Sequence, residues 1–388
     1  MERVQRADAL IDGHAAVTPP PQPLTPPTAA STLPSVTHAP PTTSPPLRIG
    51  LLTAARAQHP VLEVSLPCDP PLAEHPQPAV QHFAARYAPS FFLDVGTACP
   101  LHCVYCSVVR GADDKDVRME AREHLYMRMA DAESVGVRKL TFIGGEAASR
   151  TDFLHLADVA HAMGFQDLIL ATKSVKLARP EFVAQLREHH VSMVHLSLDS
   201  FDPDVLAVLL ASRTAPKLLL AGLHELLAQQ VELFLFAVLT QHNLAGLEDY
   251  VRRLADLQQR YGRPMTAVVS PLKVQSRAEK NRETLVPRMA DLAHAVARAL
   301  DLAQTLNVTL IHKAVPPCLL PQHGDWALER YLTEARLDLQ TGQRLPSAAN
   351  PYLAKSAACA SCAATAVCPG VDAAYADWQG WAEFSPLT

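Results

Sequence analysis

From about residue 90 onward, short apolar runs alternate with longer segments whose apolar residues recur every three or four positions. The apolar runs are continuous, which is typical of parallel strands that are covered on both faces. They predict seven strands, at 91–97, 139–145, 167–173, 193–199, 231–240, 266–272 and 308–314. The helical periods predict helices at 118–135, 152–163, 180–189, 215–229, 246–261 and 288–306. Because right-handed crossovers join parallel strands, we expect an α/β fold, a partial or complete (β/α) barrel.

The composition changes on both sides of this regular region. Residues 19–46 contain 11 prolines, so we expect a disordered, Pro-rich tail over 1–48. An N-terminal extension follows over 49–88, with a short strand at 62–66 and a helix at 80–87. We assign the barrel to 89–315 and a small Cys-rich module to 316–388, which is too short to form a large core without a metal.

Charge and hydropathy narrow the classes of partner. The formal net charge of −5 counts against a nucleic-acid partner, and no run of 18 apolar residues predicts a membrane span. The first residues lack the apolar stretch of a secretion signal, so we expect a cytoplasmic protein. In that reducing compartment, clustered cysteines are more often metal ligands than disulfides. Seven of the eight cysteines fall into two groups, and Cys68 stands apart as a bystander.

The first group of cysteines follows the first predicted strand directly. Cys99, Cys103 and Cys106 have the spacing Cys-x3-Cys-x2-Cys. Three thiolates on one loop suit a cubane iron–sulfur cluster and leave one iron without a protein ligand, as a catalytic site requires. The alternative is a zinc site that takes His102 as its fourth ligand, although zinc sites usually use paired Cys-x2-Cys arms.

With Tyr105 at its aromatic position, this loop resembles the signature of the radical S-adenosylmethionine (SAM) superfamily, Cys-x3-Cys-x-aromatic-Cys. The resemblance implies an oxidoreductase whose [4Fe–4S] cluster binds SAM and cleaves it to a 5′-deoxyadenosyl radical. It also implies that Tyr105 lies beside the adenine of SAM. An external electron donor of the flavodoxin or ferredoxin type would reduce the cluster.

The end of the second predicted strand resembles the Gly-Gly-Glu motif of the same family. Here the motif is Gly144, Gly145 and Glu146, followed by Ala147 where the family usually has proline. The resemblance implies that the glycines allow a close backbone approach and that the carboxylate receives the ammonium group of SAM. The alternative is an ordinary Gly-rich turn.

Two later strand ends supply further cofactor-binding candidates. Thr172 opens the sequence Thr-Lys-Ser, where many relatives have Thr-Asn-Gly. The alternative for Thr172 is an ordinary solvated strand end. Ser197 and Asp199 belong to Ser-Leu-Asp-Ser, which resembles the family's Ser-Leu-Asp-Gly strand. Because side chains alternate along a strand, these two share one face. The alternative for Asp199 is a turn before a helix that starts at Asp202-Pro203.

The second group of cysteines resembles a shortened SPASM-type auxiliary-cluster module. Cys359, Cys362 and Cys368 have the spacing Cys-x2-Cys-x5-Cys, and Cys318 stands apart at the end of the barrel. Asp372 occupies the position of the next expected cysteine. The resemblance therefore implies a single auxiliary [4Fe–4S] cluster, with structural zinc as the alternative. Four thiolates leave no open position, so the cluster would transfer electrons or hold the lid on the substrate side.

Relatives with SPASM-like modules mostly modify peptides or proteins, which makes a peptide or protein the expected substrate. One alternative is a small-molecule radical SAM enzyme, such as a dehydrogenase or an enzyme of cofactor biosynthesis. The other is a non-catalytic iron–sulfur or zinc protein.

Overall fold

The computed structural model describes residues 61–67, 78–108, 117–339, 343–345 and 350–388. The predicted Pro-rich tail over 1–48 and Cys68 lie outside these residues.

A ten-stranded sheet organises the described part of the chain. Its strands are β1 (Val61–Pro67), β2 (Ser90–Asp94), β3 (Lys139–Ile143), β4 (Asp167–Thr172), β5 (Val191–Ser197), β6 (Glu232–Leu239), β7 (Thr266–Pro271), β8 (Thr309–His312), β9 (Leu332–Asp338) and β10 (Arg344–Leu345). The order across the sheet is β10-β9-β1-β2-β3-β4-β5-β6-β7-β8. Strands β2 to β8 are parallel and correspond to the seven predicted strands. Because β10 and β8 are the edges of this sheet, the α/β fold is confirmed as a partial barrel.

The described ranges contain eleven α-helices, most of which lie in the connections between parallel strands. They are α1 (Pro78–Tyr87), α2 (Arg122–Ser134), α3 (Phe153–Ala162), α4 (Pro180–Glu188), α5 (Pro203–Leu210), α6 (Ala215–Ala228), α7 (Leu247–Tyr261), α8 (Arg277–Lys280), α9 (Arg282–Leu285), α10 (Met289–Thr305) and α11 (Ala373–Gln379). The six long helices predicted from periodicity are all present. Helix α5 is not predicted from periodicity because it is apolar almost throughout. Its start is marked only by the capping residue Asp202, whose carboxylate accepts from the Asp204 amide at 2.8 Å.

Helix α7 shows how the crossover helices attach to the sheet. Its buried residues recur at helical spacing: Leu247, Tyr250, Val251, Leu254 and Leu257. This spacing places one apolar stripe against the sheet and leaves the charged residues outside. The other crossover helices bury apolar side chains in the same way, so the parallel strands are covered. No single helix in the described ranges is long and apolar enough to cross a bilayer; α5 and α6 meet that test only as a pair bent by 116°.

Helix α1 covers the amino-terminal ends of the parallel strands. Its Arg86 donates to Asp167 at the start of β4 and to Glu232 at the start of β6, at 2.9 and 2.7 Å. Phe83 and Tyr87 point into the barrel, where Phe83 lies 4.8 Å from the ring of Phe234. One end of the barrel is therefore filled, and the carboxyl ends of the strands remain for a site.

One part of the segment after the barrel joins the main sheet, and the rest forms a separate small sheet and a helix. Within the range 316–388, β9 pairs with β1 along its whole length, from Val61↔Asp338 to Pro67↔Leu332, and β10 pairs with β9. The main sheet thus takes in part of the segment that the sequence assigns to the Cys-rich module. The remainder holds a small sheet of β11 (Leu353–Ala354) and β12 (Val371–Asp372), followed by α11.

Candidate active site

The loop that carries Cys99, Cys103 and Cys106 leaves the carboxyl end of β2 and is held from three sides. The amides of Gly145 and Glu146, at the end of β3, donate to the loop carbonyls of Gly96 and Ala98 at 2.7 and 2.9 Å. The carbonyl of Arg118 accepts from two loop amides, those of Thr97 and Ala98. The amide of Val104 donates to Leu209 of α5 at 2.9 Å. All three cysteines are partly buried free thiols on this anchored loop.

The two glycines of the predicted Gly-Gly-Glu motif pack directly against this loop. A Cβ atom on Gly145 would lie 2.2 Å from the carbonyl oxygen of Ala98, and one on Gly144 would lie 2.5 Å from that of Gly96. Gly144 also has φ +123°, which other residues rarely adopt. The close backbone approach that the sequence predicts therefore includes an approach to the cysteine loop itself.

The carboxylate of Glu146 joins the end of β3 to the end of β4. One oxygen accepts from the Thr172 hydroxyl at 2.6 Å and from the Ala148 amide at 3.1 Å, and the other accepts from the Lys173 amide at 2.9 Å. Burial raises the pKa of Glu146, while these three hydrogen bonds and the charge of Lys176 act to lower it. The structure thus brings the predicted residues Glu146 and Thr172 into contact.

Tyr105, Lys173 and Asp199 form a buried polar cluster beside the loop. The hydroxyl of Tyr105 and the ammonium of Lys173 both donate to one oxygen of Asp199, and Lys173 also donates to Tyr105. The second oxygen of Asp199 accepts from the Val238 amide of β6 at 3.0 Å. Burial raises the pKa of Tyr105 well above its usual value. A cofactor hydroxyl that bonded this doubly occupied oxygen of Asp199 would therefore have to displace Tyr105 or Lys173.

Two residues of this arrangement, Lys173 and Asn243, are not among the cofactor-binding candidates chosen from the sequence. Lys173 occupies the position where relatives have asparagine, and that departure was its only signal. Asn243 follows β6, and its amide donates to the backbone carbonyls of Asp199 and Val238, both at 2.8 Å. The predicted residue Ser197 ends β5 and is partly exposed.

The thiols of the loop lie close enough together to influence one another. Burial raises the pKa of Cys103 to about 11. Negative charge on Asp199, Cys99 and Cys106 also raises it, whereas Lys173 lowers it. A metal that binds here must therefore displace a proton, and the positive charge of the metal would stabilise the clustered thiolates.

The four remaining predicted ligands line one cavity. Cys318, from the loop after β8, faces the same space as Cys359, Cys362 and Cys368. Three of these sulfurs have a hydrogen-bond partner at 3.4 Å: the Leu387 amide at Cys362, the Gly370 amide at Cys368 and the Ser356 hydroxyl at Cys359. Burial raises the pKa of Cys318 and of Cys368.

Both cysteine groups fit an iron–sulfur cluster by their chemistry. Hydrogen-bond donors beside sulfur stabilise the negative charge of cluster thiolates. Within the described ranges, no three His, Cys, Asp or Glu side chains converge tightly enough to hold a single metal ion. A cubane binds each thiolate to a different iron atom, so its cysteines lie further apart. The ligand roles of these seven cysteines stay a prediction, with zinc as the alternative at each site.

Comparisons with known proteins agree with this geometry. Residues 93–254 match the Radical SAM superfamily. Over 221 residues the chain is 28% identical to a PqqA peptide cyclase from Ruegeria pomeroyi, covering 56% of either protein. Over 174 residues it is 30% identical to the "Probable GTP 3',8-cyclase" of Methanopyrus kandleri, covering 45% of this chain and 55% of that protein. The matches thus span about half the length of these curated relatives.

Among solved structures, Streptococcus suis SuiB bound to precursor peptide SuiA superposes with a TM-score of 0.46 and 15% identity, over 57% of this chain and 48% of that one. Since that score is low, the fold rests on the strand order described above. The residues that match the superfamily contain the three-cysteine loop, the Gly-Gly-Glu strand end and the Ser-Leu-Asp strand in the family's order. The chain therefore carries a radical SAM domain over residues 93–254.

Proposed function

We propose that this protein is a radical SAM enzyme that acts on a peptide or protein. A [4Fe–4S] cluster on Cys99, Cys103 and Cys106 would supply the one-electron cleavage of SAM to a 5′-deoxyadenosyl radical, which abstracts hydrogen from the substrate. One observation carries the proposal: the three-cysteine loop packs, backbone against backbone, on the Gly-Gly-Glu strand end inside the matched domain.

The residues around this loop would bind and orient the cofactor. Glu146 is 4% exposed and its carboxylate is fixed by three donors, so it presents a preorganised negative charge to an ammonium group. Tyr105 is buried on the loop, and its hydroxyl is held by Asp199 and Lys173. Because these groups are already ordered, little conformational entropy is lost when the cofactor binds.

The second cysteine group would hold an auxiliary [4Fe–4S] cluster with four protein ligands. Such a cluster has no open iron, so its role is electron transfer or fixing the C-terminal segment beside the substrate. The hydrogen bonds to Cys359, Cys362 and Cys368 would tune its reduction potential. The external electron donor would be a flavodoxin or ferredoxin.

The similarity to a PqqA peptide cyclase supports a peptide substrate. A second candidate is a small-molecule substrate, which the similarity to a GTP 3',8-cyclase favours. The genes next to this one distinguish the two candidates. A peptide-modifying enzyme should have a neighbouring gene for a short precursor peptide, and the absence of such a gene would favour a small-molecule substrate.

The decisive experiment is anaerobic reconstitution with iron and sulfide, followed by reduction with dithionite in the presence of SAM. Wild-type protein should release 5′-deoxyadenosine, and the Cys99→Ala, Cys103→Ala, Cys106→Ala triple variant should release none. A protein that carries the cluster on this loop yet never forms 5′-deoxyadenosine would contradict the proposal and leave a non-catalytic iron–sulfur protein.

A further inference from the structure

The connection between β7 and α10, residues 272–288, contacts the cysteine loop of the radical SAM domain. Three of its side chains donate to loop carbonyls: Ser276 to Val108 at 3.1 Å, Asn281 to Val104 at 3.0 Å and Arg277 to Cys103 at 3.5 Å. Val108 lies two residues after the predicted ligand Cys106, and Val104 directly follows the predicted ligand Cys103. This connection therefore holds the part of the loop that carries Cys103 and Cys106.

The same stretch of chain is attached on its other side to the C-terminal segment. Backbone amides near its start and in the first turn of α10 donate to side chains of that segment: Val274 to Asp372 at 3.2 Å, Met289 to Tyr375 at 2.8 Å and Ala290 to Glu383 at 2.8 Å. In addition, Arg288 pairs with Glu383 at 3.2 Å. Residues 274–290, which we call the bridge segment, thus lie between the first cysteine loop and the segment that carries the second group of cysteines.

Ser276 adopts a strained conformation within the bridge segment. Its φ of +56° and ψ of −119° belong to a region that glycine adopts easily and that a side chain makes unfavourable. Glycine at this position would relieve the strain but would lack the hydroxyl that reaches Val108. The strain and the hydrogen bond therefore occur together at the point where the bridge segment meets the cysteine loop.

We propose that Ser276 is a positioning residue for the radical SAM cluster, a role that rests on the proposed function. Its hydroxyl fixes the Val108 carbonyl and, with Asn281, sets the path of the loop from Cys103 to Cys106. A cluster held by Cys103 and Cys106 would then be bound by a loop with one defined path. Because the bridge segment is itself bonded to the C-terminal segment, the two cysteine sites share one rigid support.

Two substitutions separate the hydroxyl from the backbone strain. Ser276→Ala removes the hydroxyl and keeps the strain, whereas Ser276→Gly removes both, so Ser276→Gly should unfold at a higher temperature than Ser276→Ala. Both should raise the SAM concentration for half-maximal 5′-deoxyadenosine formation about fivefold, the factor for one net hydrogen bond. Both should also change the electron paramagnetic resonance spectrum of the reduced cluster and the shift of that spectrum on addition of SAM.

Gln230→Gly is the matched control, because Gln230 is exposed, has φ +57° and lies after α6. It should gain thermal stability and keep the wild-type spectrum and SAM dependence. Wild-type spectra and SAM dependence in both Ser276 variants would overturn the proposal. The spectrum of the reduced cluster is also measured without SAM. If wild-type protein cleaved no SAM, the proposed function would be refuted. The comparison of the spectra of wild type and the Ser276 variants would still decide the role of Ser276.

Discussion

Gly145 has room for a hydrogen atom, and for nothing larger, on the side that faces the cysteine loop. The carbonyl oxygen of Ala98 would lie 2.2 Å from an added Cβ, and the three nearest atoms all belong to backbone that cannot rotate away. At this residue the requirement for glycine comes from the packing of two backbone segments. A motif that resembles a cofactor-binding signature therefore also has a structural reason within the protein.

Gly145→Ala should displace the cysteine loop and prevent its cluster from forming. After anaerobic reconstitution, we expect the iron content to fall from about eight to about four per chain, because each cubane contains four iron atoms. Gly246→Ala is the control, since a Cβ at Gly246 meets nothing within 4 Å and should leave the iron content unchanged. A full complement of iron in Gly145→Ala would show that the loop tolerates the displacement.

His195 is a buried histidine inside the barrel. It is 5% exposed, it stacks on Tyr87 with ring centroids 5.5 Å apart, and its Nε2 has no hydrogen-bond partner among the described residues. Burial, aided by the charge of Arg86, lowers its pKa from 6.5 to about 3. The folded protein therefore keeps this ring neutral at pH values where the unfolded chain protonates it.

His195→Leu should increase the free energy of unfolding and make it depend less on pH. Below pH 6.5 the unfolded state binds the proton and the folded state does not, so wild-type stability falls as the pH drops from 6.5 towards 3. Removing an unpartnered buried nitrogen should add about 1–2 kcal/mol at pH 7.5. Urea unfolding at pH 7.5 and 5.5 measures both effects, with the exposed His242→Gln as control. An equal pH slope in wild type and His195→Leu would count against this explanation.

At the scale of elements, α1 closes the amino-terminal end of the barrel through one arginine. Arg86 bonds two carboxylates that begin two different strands, and its side chain is 23% exposed. These carboxylates raise the pKa of Arg86 despite its partial burial. A helix from the N-terminal extension thereby fixes the spacing of β4 and β6, whose opposite ends carry Thr172 and Leu239.

Arg86→Met should destabilise the fold by about 2 kcal/mol, because Asp167 and Glu232 would remain partly buried without their partner. Urea unfolding measures this loss. Arg252→Met on α7 is the control: Arg252 pairs with Glu248 and Asp249 on the exposed face, and its removal should cause no measurable change. Equal stability of the two variants would mean that the Arg86 contacts contribute little.

At the scale of the whole molecule, two cysteine sites share one chain and are joined by the bridge segment. The first site takes all its cysteines from one loop, whereas the second takes Cys318 from the end of the barrel and three from the C-terminal segment. The second site therefore ties the C-terminal segment to the barrel. Loss of one cluster should leave the other able to form.

Cys359→Ala combined with Cys362→Ala should reduce the iron content from about eight to about four per chain, since one cubane is lost. Dithionite-reduced protein should still release 5′-deoxyadenosine, because Cys99, Cys103 and Cys106 are intact. The triple variant of the first loop should retain a similar amount of iron and release no product. Metal analysis that finds zinc in place of iron at the C-terminal site would contradict the auxiliary-cluster assignment.

The sequence by itself determined the order of the parallel strands and of the long helices, because continuous apolar runs and helical periods are local signals that each segment carries alone. It also determined the candidate ligands, since cysteine spacing is read directly from the chain. β9 escaped detection because Leu332–Asp338 alternates without a strong apolar run and is stabilised by its pairing with β1, far away in sequence.

Only the tertiary structure decided which residues meet. The place of Lys173 between Tyr105 and Asp199 depends on three strand ends reaching the same edge of the sheet, and no local pattern encodes that meeting. The cavity shared by Cys318 and the C-terminal cysteines likewise depends on long-range packing. Local propensity acts within a few residues, whereas site geometry arises from contacts between distant segments, and these form only when the chain folds.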